Sequence, residues 1–363
     1  MSGIVGDNTG TSSGQITPVS GITTSSSDPA TDTNPSGGLG TVWANTTSGE
    51  MYTCTDATDG ANVWTNWGDG TGDIALDIFQ GTVRGYAVGG SIGSATNVIQ
   101  KYSFTSDTVD AEDSGDLAVA KSGISNTQND SSGWMAGGGG SGTTSIQKFD
   151  FATGGNASTV SAVMLAAVSF GSSSSTNAYG YHAGSHYPST SNVIEKYSHT
   201  ADTNSADVGN LLAVKGRHAG SSDPDGGYGY SAGAYPDLTK IERYSFSSDG
   251  DATSVGDISV ARGGGGASSL THGYVLGGYS GDNNRIDKYS FASSADGTDI
   301  GNLTVARYWG SGTSSTTHGY LCGGDGGTTT IDRVSFASGS QDSVDVGDPT
   351  QATSNTGSCG LNF

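Results

Sequence analysis

The chain is short of positive charge. Its 363 residues include 14 Lys and Arg against 35 Asp and Glu, which gives a formal net charge of −21. Nucleic acids and anionic membrane surfaces are both bound through clustered basic side chains. The composition therefore argues against nucleic acid as a partner and against adhesion to an anionic membrane. A surplus of one charge sign also keeps a Gly/Ser/Thr-rich surface soluble.

Apolar residues and cysteines are scarce as well. Apolar residues make up only 33% of the chain, there are 61 glycines, and no window shows apolar residues at helical spacing. We therefore expect an all-β fold with very little helix. The three cysteines (Cys54, Cys322 and Cys359) have no paired spacing, which predicts neither a disulfide framework nor a zinc site. There is no 18-residue apolar run and no signal-like N-terminal segment, so neither membrane insertion nor a secretory signal is expected.

What the sequence does contain is a repeat with a period of 44–49 residues. Its first element recurs as GYAVGG at 85, GWMAGG at 133, GYHAGS at 180, GYSAGA at 229, GYVLGG at 273 and GYLCGG at 319. A second element follows each copy, as in IQKYSF at 99 and IDKYSF at 286, and most copies add a third, as in GDISVAR at 256. Four short β-like segments in a unit of this length predict the blade of a β-propeller.

The repeat resembles the kelch repeat, which has a diglycine at the end of its second strand and an aromatic residue in its third. The matching residues here are Gly277–Gly278 and Tyr289, with Arg262 before the next first strand. The sequence departs from the kelch pattern because most units lack the fourth-strand tryptophan and some diglycines are replaced, as in Gly184–Ser185. The resemblance implies a kelch-like propeller of six repeats over residues 81–355.

The number of blades is open at this point. Residues 37–80 contain strand-like segments in the order of the other repeats, and residues 356–363 resemble an isolated first strand. We favour seven blades, in which residues 37–80 form a divergent first blade closed by the C-terminal strand. The alternative is a six-bladed ring with residues 37–80 as a separate hairpin module. Residues 1–36 have no aromatic residue and are expected to be an extended low-complexity tail held by a partner.

The sequence shows no catalytic motif, and no cofactor is expected. His182 and His186 are four residues apart, but a strand-to-loop segment does not bring them to one face as a helix would. The acidic segments 110–116 and 293–299 offer oxygen ligands for Ca²⁺ but lack the EF-hand spacing, and Asp is common in turns. Calcium therefore remains a possibility without a defined site.

Aromatic residues in loops are the binding candidates. The second-to-third-strand loops of a propeller lie on the same face as the connections between blades. Three tyrosines fall in such loops and two aromatic residues fall in one connection: Tyr187, Tyr235, Tyr279, Tyr308 and Trp309. Flat aromatic faces can stack on sugar rings and bury area at low entropic cost. The alternative is that these rings only pack the glycine-rich loops.

The segments MSGIVG at the start and VWANTTSGEMYTCTDATDGANVWTNWGDGTGDI from residue 42, together with the repeats, resemble structural proteins of tailed bacteriophages, particularly marine ones. The resemblance implies a non-enzymatic head- or tail-attached fibre or decoration protein, assembled in the host cytoplasm and located in the virion as a homo-oligomer. It implies that the N-terminal tail binds other virion proteins while the propeller faces a host-surface glycan. A secreted bacterial adhesin and a polysaccharide-active enzyme are the alternatives.

Overall fold

All regular secondary structure in the described part of the chain is β-strand, which confirms the all-β prediction. The computed structural model describes residues 22–68, 80–106, 108, 110–223, 227–235, 238–279, 283–325, 328–337, 341–354 and 361–362. The strands form seven four-stranded sheets. The chain divides into two compact units, residues 1–77 and residues 78–363, which we describe separately.

The first unit contains one sheet, whose strands follow the chain in order. They are β1 (Ile22–Ser25), β2 (Val42–Asn45), β3 (Met51–Asp56) and β4 (Val63–Asn66). Strand β1 runs parallel to β2, and the other pairs are antiparallel. Tyr52, Cys54 and Trp64 are fully buried, and Trp43 packs edge-on against Trp64 with ring centroids 5.8 Å apart.

The structure differs from the sequence-based division of the N-terminal region. Strand β1 lies within residues 1–36, the range expected to be an extended tail, while residues 1–21 lie outside the described part. Composition could not reveal this strand, because its sequence Ile-Thr-Thr-Ser is short and is stabilised by pairing with β2 rather than by a core of its own. The sheet of the first unit therefore takes all four of its strands from residues 22–66.

The second unit contains six sheets, one for each repeat. The first three repeats supply β5 (Arg84–Val88), β6 (Val98–Ser103) and β7 (Glu112–Asp116); β8 (Ser125–Gln128), β9 (Ser132–Ala136), β10 (Thr143–Asp150) and β11 (Ser158–Val168); and β12 (Ser172–Ser175), β13 (Tyr179–Ser185), β14 (Ser191–Ser198) and β15 (Ala206–Asn210). The last three supply β16 (Ala219–Asp223), β17 (Tyr228–Ala234), β18 (Leu238–Ser245) and β19 (Thr253–Asp257); β20 (Gly263–Ser268), β21 (His272–Tyr279), β22 (Asn283–Ser290) and β23 (Thr298–Asn302); and β24 (Ser311–Ser314), β25 (His318–Cys322), β26 (Ile331–Ser335) and β27 (Val344–Asp345).

The final strand, β28 (Leu361–Asn362), joins the sheet of the first repeat. Leu361 lies opposite Tyr86 and Asn362 opposite Gly85 in β5. We expected the C-terminal strand to complete the sheet of residues 37–80, and in the structure it lies beside β5 instead. The physical reason is that β1 already fills the fourth position of the N-terminal sheet, whereas β5, β6 and β7 lack a strand on the side of β5.

The first strands of consecutive sheets lie side by side. Strand β8 contacts β12, and the contacts continue through β16 and β20 to β24, while β28 contacts both β24 and β8. The approach is close because several positions are glycine: a Cβ atom on Gly220 would lie 2.2 Å from the Ser173 carbonyl oxygen, and one on Gly266 would lie 2.0 Å from that of Gly220. This arrangement of short four-stranded sheets is propeller-like, as the repeat predicts.

Third-strand tyrosines and buried ion pairs hold the sheets in place. The Tyr289 hydroxyl is 2.7 Å from Ser221 Oγ in the neighbouring sheet, and three other third-strand tyrosines make the equivalent contact with a first-strand Ser or Thr hydroxyl. Within a sheet, the basic residue that precedes the first strand pairs with an acidic residue of the third strand. The three such pairs are Lys215–Glu242, Arg262–Asp287 and Arg307–Asp332, and all six side chains are at most 1% exposed. The connections between blades are therefore firmly fixed at their bases.

Candidate functional site

The connections that lead into the first strands carry an unusual backbone conformation. Among the described residues, four non-glycine residues have a positive φ, and three of them lie in these connections: Phe170 at 58°, Arg217 at 57° and Trp309 at 62°. The corresponding connection before β8 has Gly123 at 62°. A left-handed conformation at a residue other than glycine costs about 1–3 kcal/mol and tends to occur at functional sites. These connections are therefore candidates for function.

The side chains at these three positions pack on one another. The guanidinium of Arg217 lies between two aromatic rings, 4.3 Å from the ring centre of Phe170 and 4.2 Å from that of Trp309. The backbone N–H of Arg217 donates to the Phe170 carbonyl, so the two connections stand side by side. The connection between those of Arg217 and Trp309 leads into β20 at Gly263, where an added Cβ would lie 1.8 Å from the Arg217 carbonyl oxygen. The absence of side chains there leaves room for Trp309 to reach Arg217.

The structure brings together all five aromatic residues that the sequence singled out. Tyr235 lies edge-on to Tyr279 with ring centroids 5.4 Å apart, and Tyr279 is nearly parallel to Trp309 at 5.9 Å. Tyr308 is 4.5 Å from Trp309, also edge-on. Tyr187 follows β13 and is 5.9 Å from Phe170. Tyr279 is the last residue of β21 rather than a loop residue.

Three further residues belong to this group and were not identified from the sequence. Phe170 and Arg217 form its centre, and His186 is 5.3 Å from Tyr235, ring centre to ring centre. Aligning the connections could have found Phe170 and Arg217. Phe170, Arg217 and Trp309 each follow by two residues the position that Lys215 occupies in its own repeat. We refer to Phe170, His186, Tyr187, Arg217, Tyr235, Tyr279, Tyr308 and Trp309 as the Arg217 cluster.

The Arg217 cluster is open to solvent at its aromatic rings. Tyr187 and Tyr279 are each 38% exposed, and the other members are partly buried. Burial lowers the pKa of Arg217 from its ordinary value, and the nearby Tyr187 side chain opposes that shift. Burial and the nearby Arg217 charge lower the pKa of His186, so this imidazole is neutral at neutral pH. The cluster thus presents aromatic faces, hydroxyl groups and one cation.

Arg217 makes no ion pair with a carboxylate of the described chain, and its Nη1 atom is buried without a hydrogen-bond partner there. This distinguishes it from Lys215, Arg262 and Arg307, which pair with buried carboxylates. A buried donor without a partner costs about 1–3 kcal/mol, so this edge of the guanidinium favours an added acceptor. The arrangement is suited to binding.

The other candidate positions do not join this site. His182 is buried in β13, its Nδ1 is 2.5 Å from Ser125 Oγ, and burial lowers its pKa to about 4. Within the described ranges, no group of three or more His, Cys, Asp or Glu side chains is placed to hold a metal ion. A separate open cleft of about 470 Å³ is lined by residues that include Arg84, Lys101, Asp110 and Glu112. Its Lys101 already pairs with Glu112 at 3.7 Å.

Comparison with known proteins adds no assignment. The chain matches no family model, and no curated protein is significantly similar to it. In the part of the chain that the structure describes, no helix is long and apolar enough to cross a membrane. The interpretation of the Arg217 cluster therefore depends on its own geometry and chemistry.

Proposed function

We propose that this protein is a non-enzymatic virion structural protein, a head- or tail-attached fibre or decoration protein that binds a host-surface glycan through the Arg217 cluster. The observation that carries the proposal is the convergence of five aromatic residues, from the loops, a strand end and one connection of neighbouring repeats, into one partly exposed surface. The likeness of the sequence to tailed-phage structural proteins supports the location in the virion.

A saccharide fits this surface better than a purely apolar ligand does. Tyr187 and Tyr279 each expose 38% of their surface, and each combines a flat ring with a hydroxyl. Ring faces stack on the C–H faces of a sugar, while the hydroxyls offer hydrogen bonds to the hydroxyls of the sugar. The cluster also places the indole of Trp309 within 6 Å of Tyr279, so stacking area is concentrated in one place.

We further propose that the second unit is a closed ring of six blades and that the N-terminal sheet is a separate module. The contacts of β28 with β5, β8 and β24 support closure, and the division of the chain near residue 77 supports the count. In this arrangement the N-terminal region that precedes β1 binds other virion proteins, and homo-oligomers form in the particle. Ring closure fixes the connections that carry the Arg217 cluster.

A glycan array tests the binding surface. Wild type should bind a subset of surface glycans, and the Tyr235→Ala and Trp309→Ala variants should lose about tenfold or more in affinity, since a stacked ring contributes about 1–3 kcal/mol to an interaction of this kind. The matched control is Tyr179→Ala, because Tyr179 is 40% exposed but makes its cation–π contact with Lys196 outside the cluster. Unchanged binding in both cluster variants, with their melting temperatures preserved, would dismiss the surface.

The virion location has its own test. Mass spectrometry of purified phage particles that encode this chain should find it at a fixed ratio to the other structural proteins. Recovery from the culture medium of a bacterium, and absence from the particles, would favour the adhesin alternative. Cleavage of a polysaccharide that the protein binds would favour the enzyme alternative.

A further inference from the structure

We propose that the ligand of the Arg217 cluster is an acidic saccharide, whose carboxylate or sulfate group binds the guanidinium of Arg217. This inference rests on the proposed glycan-binding function and adds the chemical class of the ligand. The five candidate aromatics do not distinguish neutral from acidic sugars, whereas the charge of Arg217 does.

The positive charge of Arg217 differs from that of the other connection cations. The chain has 35 acidic residues, and its other connection cations either pair with carboxylates or, like Lys121, donate to protein oxygens: Lys121 Nζ is 2.8 Å from the Gly137 carbonyl oxygen. Arg217 has no such carboxylate among the described residues. Among the described residues its charge is therefore not neutralised by a carboxylate, although acidic side chains outnumber basic ones in the chain by more than two to one. An anionic ligand would supply the missing partner.

The packing around Arg217 determines which part of its guanidinium a ligand can bind. The rings of Phe170 and Trp309 both lie against the guanidinium, with their centres 4.3 and 4.2 Å from its central carbon, so a ligand would bind it along its edge. Its Nη1 atom has no hydrogen-bond partner among the described residues. A carboxylate or sulfate oxygen at this edge would accept from Nη1. Arginine edges bind such planar or tetrahedral anions through two parallel hydrogen bonds.

The aromatic rings around Arg217 favour an acidic saccharide over a small anion. The aromatic rings exclude water from the guanidinium, which strengthens its interaction with an anion relative to the same pair in bulk water. The half-exposed rings of Tyr235 and Tyr279 lie in the same cluster, so the body of the sugar can stack while its acidic group binds Arg217. The left-handed backbone of Arg217, at φ 57°, holds the side chain in this position at a conformational cost.

The experiment compares matched saccharides. Wild type is titrated with an oligosaccharide that contains a uronic acid and with its neutral hexose parent, and likewise with a sulfated galactan and its desulfated form. We expect the acidic member of at least one pair to bind about tenfold or more tightly, and the two pairs distinguish carboxylate from sulfate. Arg217→Gln should remove this preference, so that the acidic and neutral members of each pair bind with equal affinity.

The control variant is Arg243→Gln, because Arg243 also lies over an aromatic ring, Tyr228 at 4.6 Å, but outside the cluster. It should bind like wild type. Equal wild-type affinity for both members of each pair would overturn the acidic preference and leave glycan binding standing, whereas no binding to any saccharide would overturn both. An acidic preference that survives in Arg217→Gln would exclude Arg217 as its source.

A variant-free measurement covers the case in which Arg217→Gln fails to fold. Rising salt should weaken wild-type binding of the acidic member and leave binding of the neutral member unchanged, because only the former depends on charge. Equal salt dependence for both members would contradict the proposal.

Discussion

Removing the acidic member of a buried ion pair should be far more damaging than removing that of an exposed one. Arg262 and Asp287 are both fully buried, with Arg262 Nη1 2.5 Å from Asp287 Oδ2. Arg262 Nε also donates to the Gly277 carbonyl at 2.8 Å, and Ser259 Oγ donates to Asp287 at 3.0 Å. The pair thus joins the connection before β20 to the third strand β22.

The Asp287→Asn substitution keeps the size of the side chain and removes its charge. The Arg262 guanidinium then stays buried without an anion, which costs about 3–5 kcal/mol of the free energy of unfolding. Replacing both partners, as Arg262→Met with Asp287→Leu, should be near neutral or stabilising because no buried charge remains. The single and double variants therefore change stability very differently at the same position.

Urea unfolding followed by tryptophan fluorescence measures these differences. The control is Glu112→Gln, since Glu112 pairs with Lys101 at 3.7 Å and its side chain is 76% exposed. An exposed pair of this kind contributes about 0–1 kcal/mol. If Asp287→Asn costs no more than Glu112→Gln, the buried pair does not hold the connection, and the reasoning is refuted.

Three further perturbations test other parts of the fold. Burial raises the pKa of Glu195 above its ordinary 4.5, so its ionisation at neutral pH opposes folding. Glu195→Gln, which copies Gln147 of the preceding sheet, should therefore stabilise the protein at pH 7, and the gain should fade as the pH falls through the raised pKa of Glu195 towards 4.5. Urea unfolding that shows a loss of stability at pH 7 would contradict this. Truncation after residue 354 removes β28 and exposes the edge of β5, so the melting temperature in scanning calorimetry should fall markedly; an unchanged transition would argue against closure. Gly220→Ala places a Cβ 2.2 Å from the Ser173 carbonyl oxygen and should lower the free energy of unfolding in urea by about 1–3 kcal/mol. The control Gly140→Ala meets open space and should not lower it; equal losses would refute the close approach of the first strands.

The repeat made the strands of the second unit predictable, because the same apolar and glycine positions recur in each copy. Tyr289, for example, occupies a recurring aromatic position, and in the structure its hydroxyl contacts Ser221 of the adjacent sheet. The position of β28 was not predictable in the same way. Its partner β5 lies more than 270 residues away in the chain, and the choice depends on β1, whose short polar sequence gives no strand signal.

The candidate site was predictable in part. The five aromatics could be placed on one face from the order of the strands, but the cation between them could not. Arg217 lies in the segment KGRHAG next to Lys215, and the repeat pattern accounts only for Lys215. That the Arg217 side chain meets Trp309 depends on the missing side chains at Gly263 and the glycines after it, which is a property of the packed connections rather than of any one repeat.

The similarities and the differences among the repeats have separate physical consequences. What the last three repeats share, a buried ion pair such as Arg307–Asp332 and glycine in the first strand, fixes their connections at the base. The residue two positions after the site that corresponds to Lys215 differs among the repeats: it is glycine at 123, Phe at 170, Arg at 217 and Trp at 309. Three left-handed non-glycine residues cost several kcal/mol together, and the packing of the sheets in the second unit offsets this cost. Binding specificity can therefore change at these positions while the pairing of the strands stays the same.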